Sequence, residues 1–442
     1  MSLVSPERPV RKRVAVIGAG VAGLTAAHLL SRDADVTLFE SGGYAGGHTN
    51  TVTIPSGPDA GLAVDTGFIV MNERNYPRFT RLLAELGVAT QPSDMTFGYH
   101  DERTGLQYAG TGLAGLFARR RQLLSASFLR LLSDIARFNA ATLRALHEGR
   151  LAGLTLGVHA ESLGLSPQLR EAYLYPMTAA IWSAPLAGAA AFPAEAFARF
   201  FANHGLLTLH DAPQWRTVAG GSQTYVRALL ARFRGTLRLS AAVAQVRRME
   251  GAVSVRVTDE AAQTFDHVVF ATHADVTLRL LGDASAQERR LLGVWRYARN
   301  HTVLHTDVRV LPPRRAAWAS WNYAREAGAA GDAPVSVTYH MNRLQRLVAQ
   351  QQYCVTLNRR APVDPRRVIA EFEYMHPQFD FPAMDSQKEL PLLQGVRHTW
   401  YCGSYFGYGF HEDAVRSAYD AVAHMRATSA APALQPALAG RL

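Results

Sequence analysis

The sequence predicts an α/β fold in which one short βαβ unit near the start organises the rest of the chain. Three observations carry that prediction. Residues 14–40, VAVIGAGVAGLTAAHLLSRDADVTLFE, read as strand, glycine turn, helix and strand. An acid, Glu40, closes the second strand about 20 residues after the glycines. Further glycine-rich turns, at 220–221 and 403–409, each precede a helical pattern.

Each part of the first unit has a physical task. Val14 to Ile17 is a short, β-branched apolar run, as a buried strand requires. Gly18 permits a tight turn, and Gly20 lets a pyrophosphate approach the backbone. Gly23 lets helix and strand pack closely. Val21 and Ala22 belong to the same turn, and the helix after it offers free N–H groups and a dipole that favour phosphate. Leu24 to Leu30 reads as the helix, and Val36 to Phe39 forms the second strand. Glu40 is placed to accept from a ribose 2′-OH and to repel a 2′-phosphate. The pattern is that of a Rossmann-like dinucleotide site, against the alternative of a glycine turn in some other α/β unit.

Length and composition bound the answer. The 442 residues suffice for two or three domains and a large core. The 48% hydrophobic and 19% charged content is that of a globular protein. The net charge is +10, almost all from arginine, since Lys12 and Lys388 are the only lysines. That charge favours anionic surfaces or acidic substrates, but it is spread along the chain without a nucleic-acid motif, so no nucleic-acid partner is expected. Cys354 and Cys402 are far apart and lack CxxC partners, so no metal site or disulfide framework is expected. The first residues lack a signal-peptide core, and no apolar run is long enough to span a bilayer. A cytoplasmic protein is expected, with membrane contact as a variant.

In chain order, Ser41 to Thr49 carries a glycine pair, Gly46-Gly47, followed by His48 and Thr49. So close to the fingerprint, it reads as a second approach to the same cofactor rather than a flexible loop. Thr51 to Ala63 is hairpin-like, Val64 leads into Asp65-Thr66-Gly67, and Phe68 to Met71 continues as a strand. A helix is expected over 78–86. Residues 112–150 read as helical, with Leu124, Phe128, Leu131, Ile135 and Phe138 on one face. Arg130, Arg137 and Arg144 follow the cluster Arg119-Arg120-Arg121 on another side, either as a solvated face or as a face lying on anionic lipid. Residues 160–210 add helical pattern and aromatics, including Trp182, Phe192 and Phe200, that suit either a cavity lining or plain core. A helix starting within 215–225 runs to Leu230, and strands follow at 243–246, 253–257 and 267–271. Strands near 302–306 and 335–339 suggest a second sheet. A glycine-rich loop then leads into a helix near Asp413, and the Ala/Pro-rich residues 429–442 read as a disordered tail.

The order fingerprint, acid, then Gly-Gly resembles the flavin-containing amine oxidase and phytoene desaturase superfamily. Asp65-Thr66-Gly67, Gly220-Gly221, Asp266 to Thr272 and Gly403 to Ala418 follow as its later motifs. The resemblance implies FAD, held in addition by Ala271, Thr272, Gly403, Ser404, Asp413 and Ala414, with Val243 at the adenine. Tyr44 and His48 stand where the family has two arginines, and Ser404 where it has an acid. It also implies a discontinuous FAD-binding domain, 1–75, 215–275 and 395–428, alternating with an α+β substrate domain, 76–214 and 276–394. Trp318, Trp321, Tyr323, Tyr339 and His340 are then candidates to face the flavin.

Lys388, in a polar turn, and Phe410, at a cage-tyrosine position, depart from amine oxidases of the family. Gly-Gly-His-Thr-Asn-Thr, Ala-Thr-His-Ala and Gly-Tyr-Gly-Phe-His-Glu-Asp are similar to a subgroup resembling the flavin domain fused ahead of plant cyclopropane fatty-acid synthases. That resemblance implies a lipid acyl substrate and a methyltransferase-type partner. His411, Glu412 and His48 are the motif-borne candidates for proton handling, beside Phe410 in the catalytic set. Two alternatives stand: an oxidase of amines or other small hydrophobic metabolites, and a non-catalytic flavin-binding partner of a lipid methyltransferase.

Overall fold

A computed structural model describes residues 11–183, 185–208, 212–328 and 336–430. Its frame is a parallel five-stranded sheet in the order Thr236–Arg238, Asp35–Phe39, Arg13–Ile17, His267–Phe270, Thr399–Tyr401. The sheet draws strands from three separated stretches of chain. Alternation sorts its side chains. Val14 and Val16 face the helices Val21–Leu30 and His411–Ala430 and pack with Leu24, Ala27, Val415 and Ala418. Ala15 and Ile17 face the opposite side, with Phe39 and Phe270. Both faces are covered, as a parallel sheet requires.

Beside this frame lies a seven-stranded sheet in the order Val368–Gln378, Arg296–His305, Cys354–Leu357, Ser336–His340, Trp321–Arg325, Phe97–Asp101, Gln107–Ala109. All its pairings are antiparallel except that of Trp321–Arg325 with Phe97–Asp101. Helices between Ala126 and Asn203 pack an aromatic cluster beside it. A small three-stranded sheet, Met71–Asn72, Trp215–Val218 and Thr90–Pro92, ties the first chain crossing to the second.

Several expectations need correction. Trp215–Val218 is a strand, pairing with residues on both sides, and the helix begins only at Gln223. The strand expected over 68–71 is reduced to Met71–Asn72. The long helix begins at Ala126, after a 3-10 turn over Arg120–Leu124, so Leu124 is 91% exposed rather than part of the apolar face. Phe128, Leu131 and Phe138 are buried as that face requires. Arg130 and Arg137 both reach the buried Asp134, at 3.9 and 3.6 Å. The last helix continues to Ala430, so residues 429 and 430 are helical; the rest of the expected tail, 431–442, lies outside the described residues, as do the first ten.

Cys354 and Cys402 are free and buried. Among the described residues there is no group of ligands arranged to hold a metal, and no helix long and apolar enough to cross a membrane.

Candidate functional site

Two glycines of the first turn are required by the protein itself. Gly18 sits at φ +98, with its N–H donating to Phe39 O at 2.8 Å. A Cβ on Gly23 would meet Gly18 O at 1.8 Å. Gly20 differs: a Cβ there would meet nothing within 4 Å. It caps the helix and lines a cavity, so its missing side chain leaves room for something the protein does not supply. The Gly46-Gly47 loop closes over it. Gly46 N donates to Ala19 O at 2.8 Å, and a Cβ on Gly47 would sit 3.1 Å from Gly20 Cα.

The cavity, of about 450 Å³, continues from this turn into the aromatic cluster. Gly18, Gly20, Val21, Ala22, Glu40, Gly46 and Gly47 line its nucleotide end. His48, Gly67, Ala271, Thr272, Gly403, Ser404, His411 and Ala414 line the middle. Met95, Ile181, Trp182, Phe200, Leu206, Trp321, Tyr339, Phe379 and Phe410 line the far end. Among the described residues lining it there is no lysine, arginine or aspartate, and the single glutamate is Glu40. Glu40 is oriented by two backbone donors, Ala19 N and Gly42 N, each at 2.8 Å.

Several residues singled out in the sequence do not line the cavity; they build its walls. Gly23 lets the helix seat on the turn. Asp65 is fully buried and accepts from Ser222 N at 2.9 Å, Ser222 Oγ at 2.7 Å, Thr51 Oγ1 at 2.5 Å and Gln345 Nε2 at 2.9 Å. It thus fastens the Gly220-Gly221 turn to the hairpin before it. Burial pushes its carboxyl up to about 6, against those donors. Thr66 bonds Asn50 O and Tyr374 Oη, and Val243 pairs with Val257 in a separate antiparallel sheet. Asp413 accepts from Tyr408 N at 2.9 Å and Phe410 N at 3.1 Å, so it folds the loop that carries Phe410.

The catalytic candidates also separate. Glu412 caps another helix: its oxygens accept from Arg78 N at 3.1 Å and Phe79 N at 2.9 Å, at the start of Pro77–Leu86. His411 lines the cavity, but its Nε2 lies 3.0 Å from both Thr49 Oγ1 and Tyr225 Oη, and those two hydroxyls lie 2.5 Å apart. Its ring stacks on Phe68 at 3.5 Å. Burial holds it neutral, with its pKa lowered to about 3. His411 is thereby a wall element, and its ring nitrogen is already committed. Phe410 does face the far end and stacks on Phe200 at 4.8 Å. Of the aromatic candidates, Trp321 and Tyr339 line the cavity, while Trp318, Tyr323 and His340 bond or stack elsewhere. Lys388 is exposed and paired with Asp385 at 2.8 Å.

Sequence reasoning missed a histidine cluster. His48, His273 and His376 share the middle of the cavity, with the His48 ring 5.2 Å from His376 and 6.0 Å from His273. His48 hydrogen-bonds the Met375 carbonyl, and its Nε2 is buried with no partner. Its hydrogen therefore sits on Nδ1, and Nε2 is a bare acceptor. Asn300 Nδ2 lies 2.9 Å from His376 Nδ1 and donates to it, which places the hydrogen of His376 on Nε2. Burial lowers all three pKa values, that of His376 to about 4, and their mutual repulsion adds for His48 and His376. The middle of the site is a set of neutral imidazoles, one an acceptor and one a donor. His273 stands in the Ala-Thr-His-Ala motif; His376 stands in no motif.

The residues fit a flavin dinucleotide. The space left by Gly20, the two helix N-termini at Val21 and His411, and the oriented Glu40 suit a pyrophosphate and a ribose. With no arginine or lysine among the described lining residues, backbone N–H groups and helix ends would supply the anion binding.

Solved structures share this architecture. Putrescine oxidase bound to putrescine superposes with a TM-score of 0.68 at 15% identity, covering 95% of this chain and 99% of that one. A fatty acid isomerase from P. acnes that produces CLA gives 0.64 at 17% identity, over 93% and 98%. Cyclohexylamine oxidase from Brevibacterium oxydans gives 0.66 at 16%, over 95% and 100%. At such identities the likeness is one of fold. A stretch of 78 residues is 45% identical to protoporphyrinogen oxidase 2 of Arabidopsis thaliana; it covers 17% of this chain and 14% of that protein. A family model for flavin-containing amine oxidoreductases matches residues 21–365, most of the chain, and the protein belongs to that family as an FAD-dependent oxidoreductase.

Proposed function

We propose that the protein desaturates or oxidises an unsaturated or methyl-modified fatty-acyl chain, by hydride transfer to flavin N5. One observation carries this reading: the far end of the cavity is apolar and aromatic, and among the described residues no lysine, arginine, aspartate or glutamate lines it. An ammonium group entering that end would be desolvated without a counter-ion, which is costly. A neutral hydrocarbon loses nothing there and gains about 25 cal/mol for each Å² buried. Bound FAD supplies the hydride acceptor. The chain supplies position and exclusion of water. Trp182, Phe200, Phe379 and Phe410 hold the hydrocarbon, the Asp413-folded loop fixes Phe410, and His376 Nε2–H and His48 Nε2 offer a neutral donor and acceptor beside it.

A second reading, oxidation of a small hydrophobic amine, draws on the same aromatic rings, whose faces attract cations. A third is a non-catalytic flavin protein that serves a cyclopropane-synthase-like methyltransferase. Anaerobic bleaching of the visible flavin band separates the three. Purified holoprotein is mixed in parallel with membrane phospholipid and with an amine panel. Bleaching by lipid, with a dehydrogenated or oxidised chain found by mass spectrometry, is the expected result. Bleaching by an amine alone overturns it in favour of the second reading. Silence in both, with flavin bound, overturns catalysis on either class and favours the third.

A further inference from the structure

The surface around the turn Arg120–Leu124 is unlike the rest of the molecule. Eleven large hydrophobic side chains are exposed among the described residues, and four of them, Leu113, Leu123, Leu124 and Leu129, fall within 17 positions. From Gly112 to Ser133 the chain holds four arginines, Arg119, Arg120, Arg121 and Arg130, and no acid; the next residue, Asp134, is buried and pairs with Arg130. Arg120, Arg121 and Arg130 are exposed. Exposed Arg315 lies on the segment Arg315–Ala317, which packs against Leu113–Leu116.

The turn is anchored at Gln122. Gln122 is 4% exposed; its Oε1 accepts from Arg119 N at 2.9 Å and its Nε2 donates to Gln107 O at 3.0 Å. That anchor turns the neighbours on both sides outward: two arginines before it, two leucines after it. The sequence at this point could have placed its leucines in the core, as the adjoining Phe128 and Leu131 show. Clustered exposed leucines cost solubility and call for an occupant. Arginines interleaved with them, without acids, match a surface that is apolar within and anionic outside.

We propose that this patch docks the protein on an anionic phospholipid surface, with Leu123 and Leu124 inserted among the acyl chains and Arg120 and Arg121 at the phosphates. The patch lies outside the cavity, and the proposal does not depend on what the cavity oxidises.

The test is co-sedimentation of the flavin-loaded full chain with vesicles of phosphatidylcholine alone and of phosphatidylcholine mixed with phosphatidylglycerol. The holoprotein is expected to pellet with the anionic vesicles and to be released by salt. Arg120→Gln with Arg121→Gln should weaken that binding about thirtyfold, at about 1 kcal/mol for each charge. Leu123→Asp with Leu124→Asp should abolish it, while Val348→Asp, at a 97% exposed site elsewhere, should leave it intact. Bound flavin and circular dichroism establish that each variant is folded. Three results overturn the proposal: no pelleting of the wild type, equal pelleting of wild type and both double variants, or an equal loss in Val348→Asp. So does light scattering that shows a dimer which the leucine double variant splits, since the patch is then a subunit interface.

Discussion

Replacing His411 with phenylalanine separates a wall histidine from a catalytic one. Phenylalanine keeps the stack on Phe68 but removes Nε2 from its triangle with Thr49 and Tyr225. The two hydroxyls still bond each other, so one buried O–H loses its acceptor, a cost of about 1–2 kcal/mol at pH 7.5. Acid changes the comparison. The wild-type imidazole has its pKa lowered by burial from 6.5 to about 3. The folded state therefore prefers the neutral ring; the stability it contributes is complete above 6.5 and is lost as pH falls toward 3. At pH 5.0 that loss amounts to about 2 kcal/mol in the wild type and is absent from the variant. Other buried histidines titrate in the same window but cancel between the two proteins. Urea unfolding, followed by tryptophan fluorescence and circular dichroism at pH 7.5 and 5.0, should show the variant's deficit vanish or reverse at the lower pH. A deficit of equal size at both pH values would refute the placement of a neutral, hydrogen-bonded His411.

Three further outcomes follow from the same geometry. Gly46→Ala would place a Cβ 2.4 Å from Thr49 O at a residue with φ +138, so the loop should shift off Gly20 and the purified protein should carry far less flavin by absorbance. Asp65→Asn turns an amide N–H toward donors that now meet a carboxylate, and should cost about 2 kcal/mol of stability in denaturant at neutral pH. Glu412→Gln should lower stability by about 1 kcal/mol through the helix cap, with turnover within about twofold of wild type; a larger loss of turnover would return Glu412 to the catalytic set.

What was legible in the sequence was what is local in the chain. Gly18, Gly20, Gly23 and Glu40 sit within one turn and two strands, and their backbone demands show as residue types at fixed spacing. The Gly46-Gly47 and Gly403 loops were readable for the same reason. The walls were less so. Trp215–Val218 is too short to show alternation, and it is a strand because partners from two earlier segments flank it. Leu124 obeys the helical spacing, but the helix begins after it. His48, His273 and His376 meet only because a glycine loop, a strand end and the edge strand Val368–Gln378 converge, and no spacing along the chain encodes that meeting. Asp65 and Asp413 were expected at the cofactor because the resemblance puts their motifs there, and Glu412 as a motif-borne proton handler; their oxygens instead accept from backbone N–H groups that hold the turns.

The sheet's scattered origin bears on how the protein comes into being. The nucleotide turn follows the first strand of the sheet, yet the edge strand Thr399–Tyr401 and the helix His411–Ala430 that packs on Val21–Leu30 come far later in the chain. Arg426 joins Asp33 at 2.9 Å, and its Nη2 donates to Leu29 O at 2.9 Å, so the beginning and end of the frame hold each other. The flavin pocket thus lacks its floor until those later segments have been made. Such distant pairings are slow to form and leave apolar surface uncovered meanwhile. A chain broken before the helix His411–Ala430 has a fingerprint but no complete pocket, and loading with FAD must await that helix.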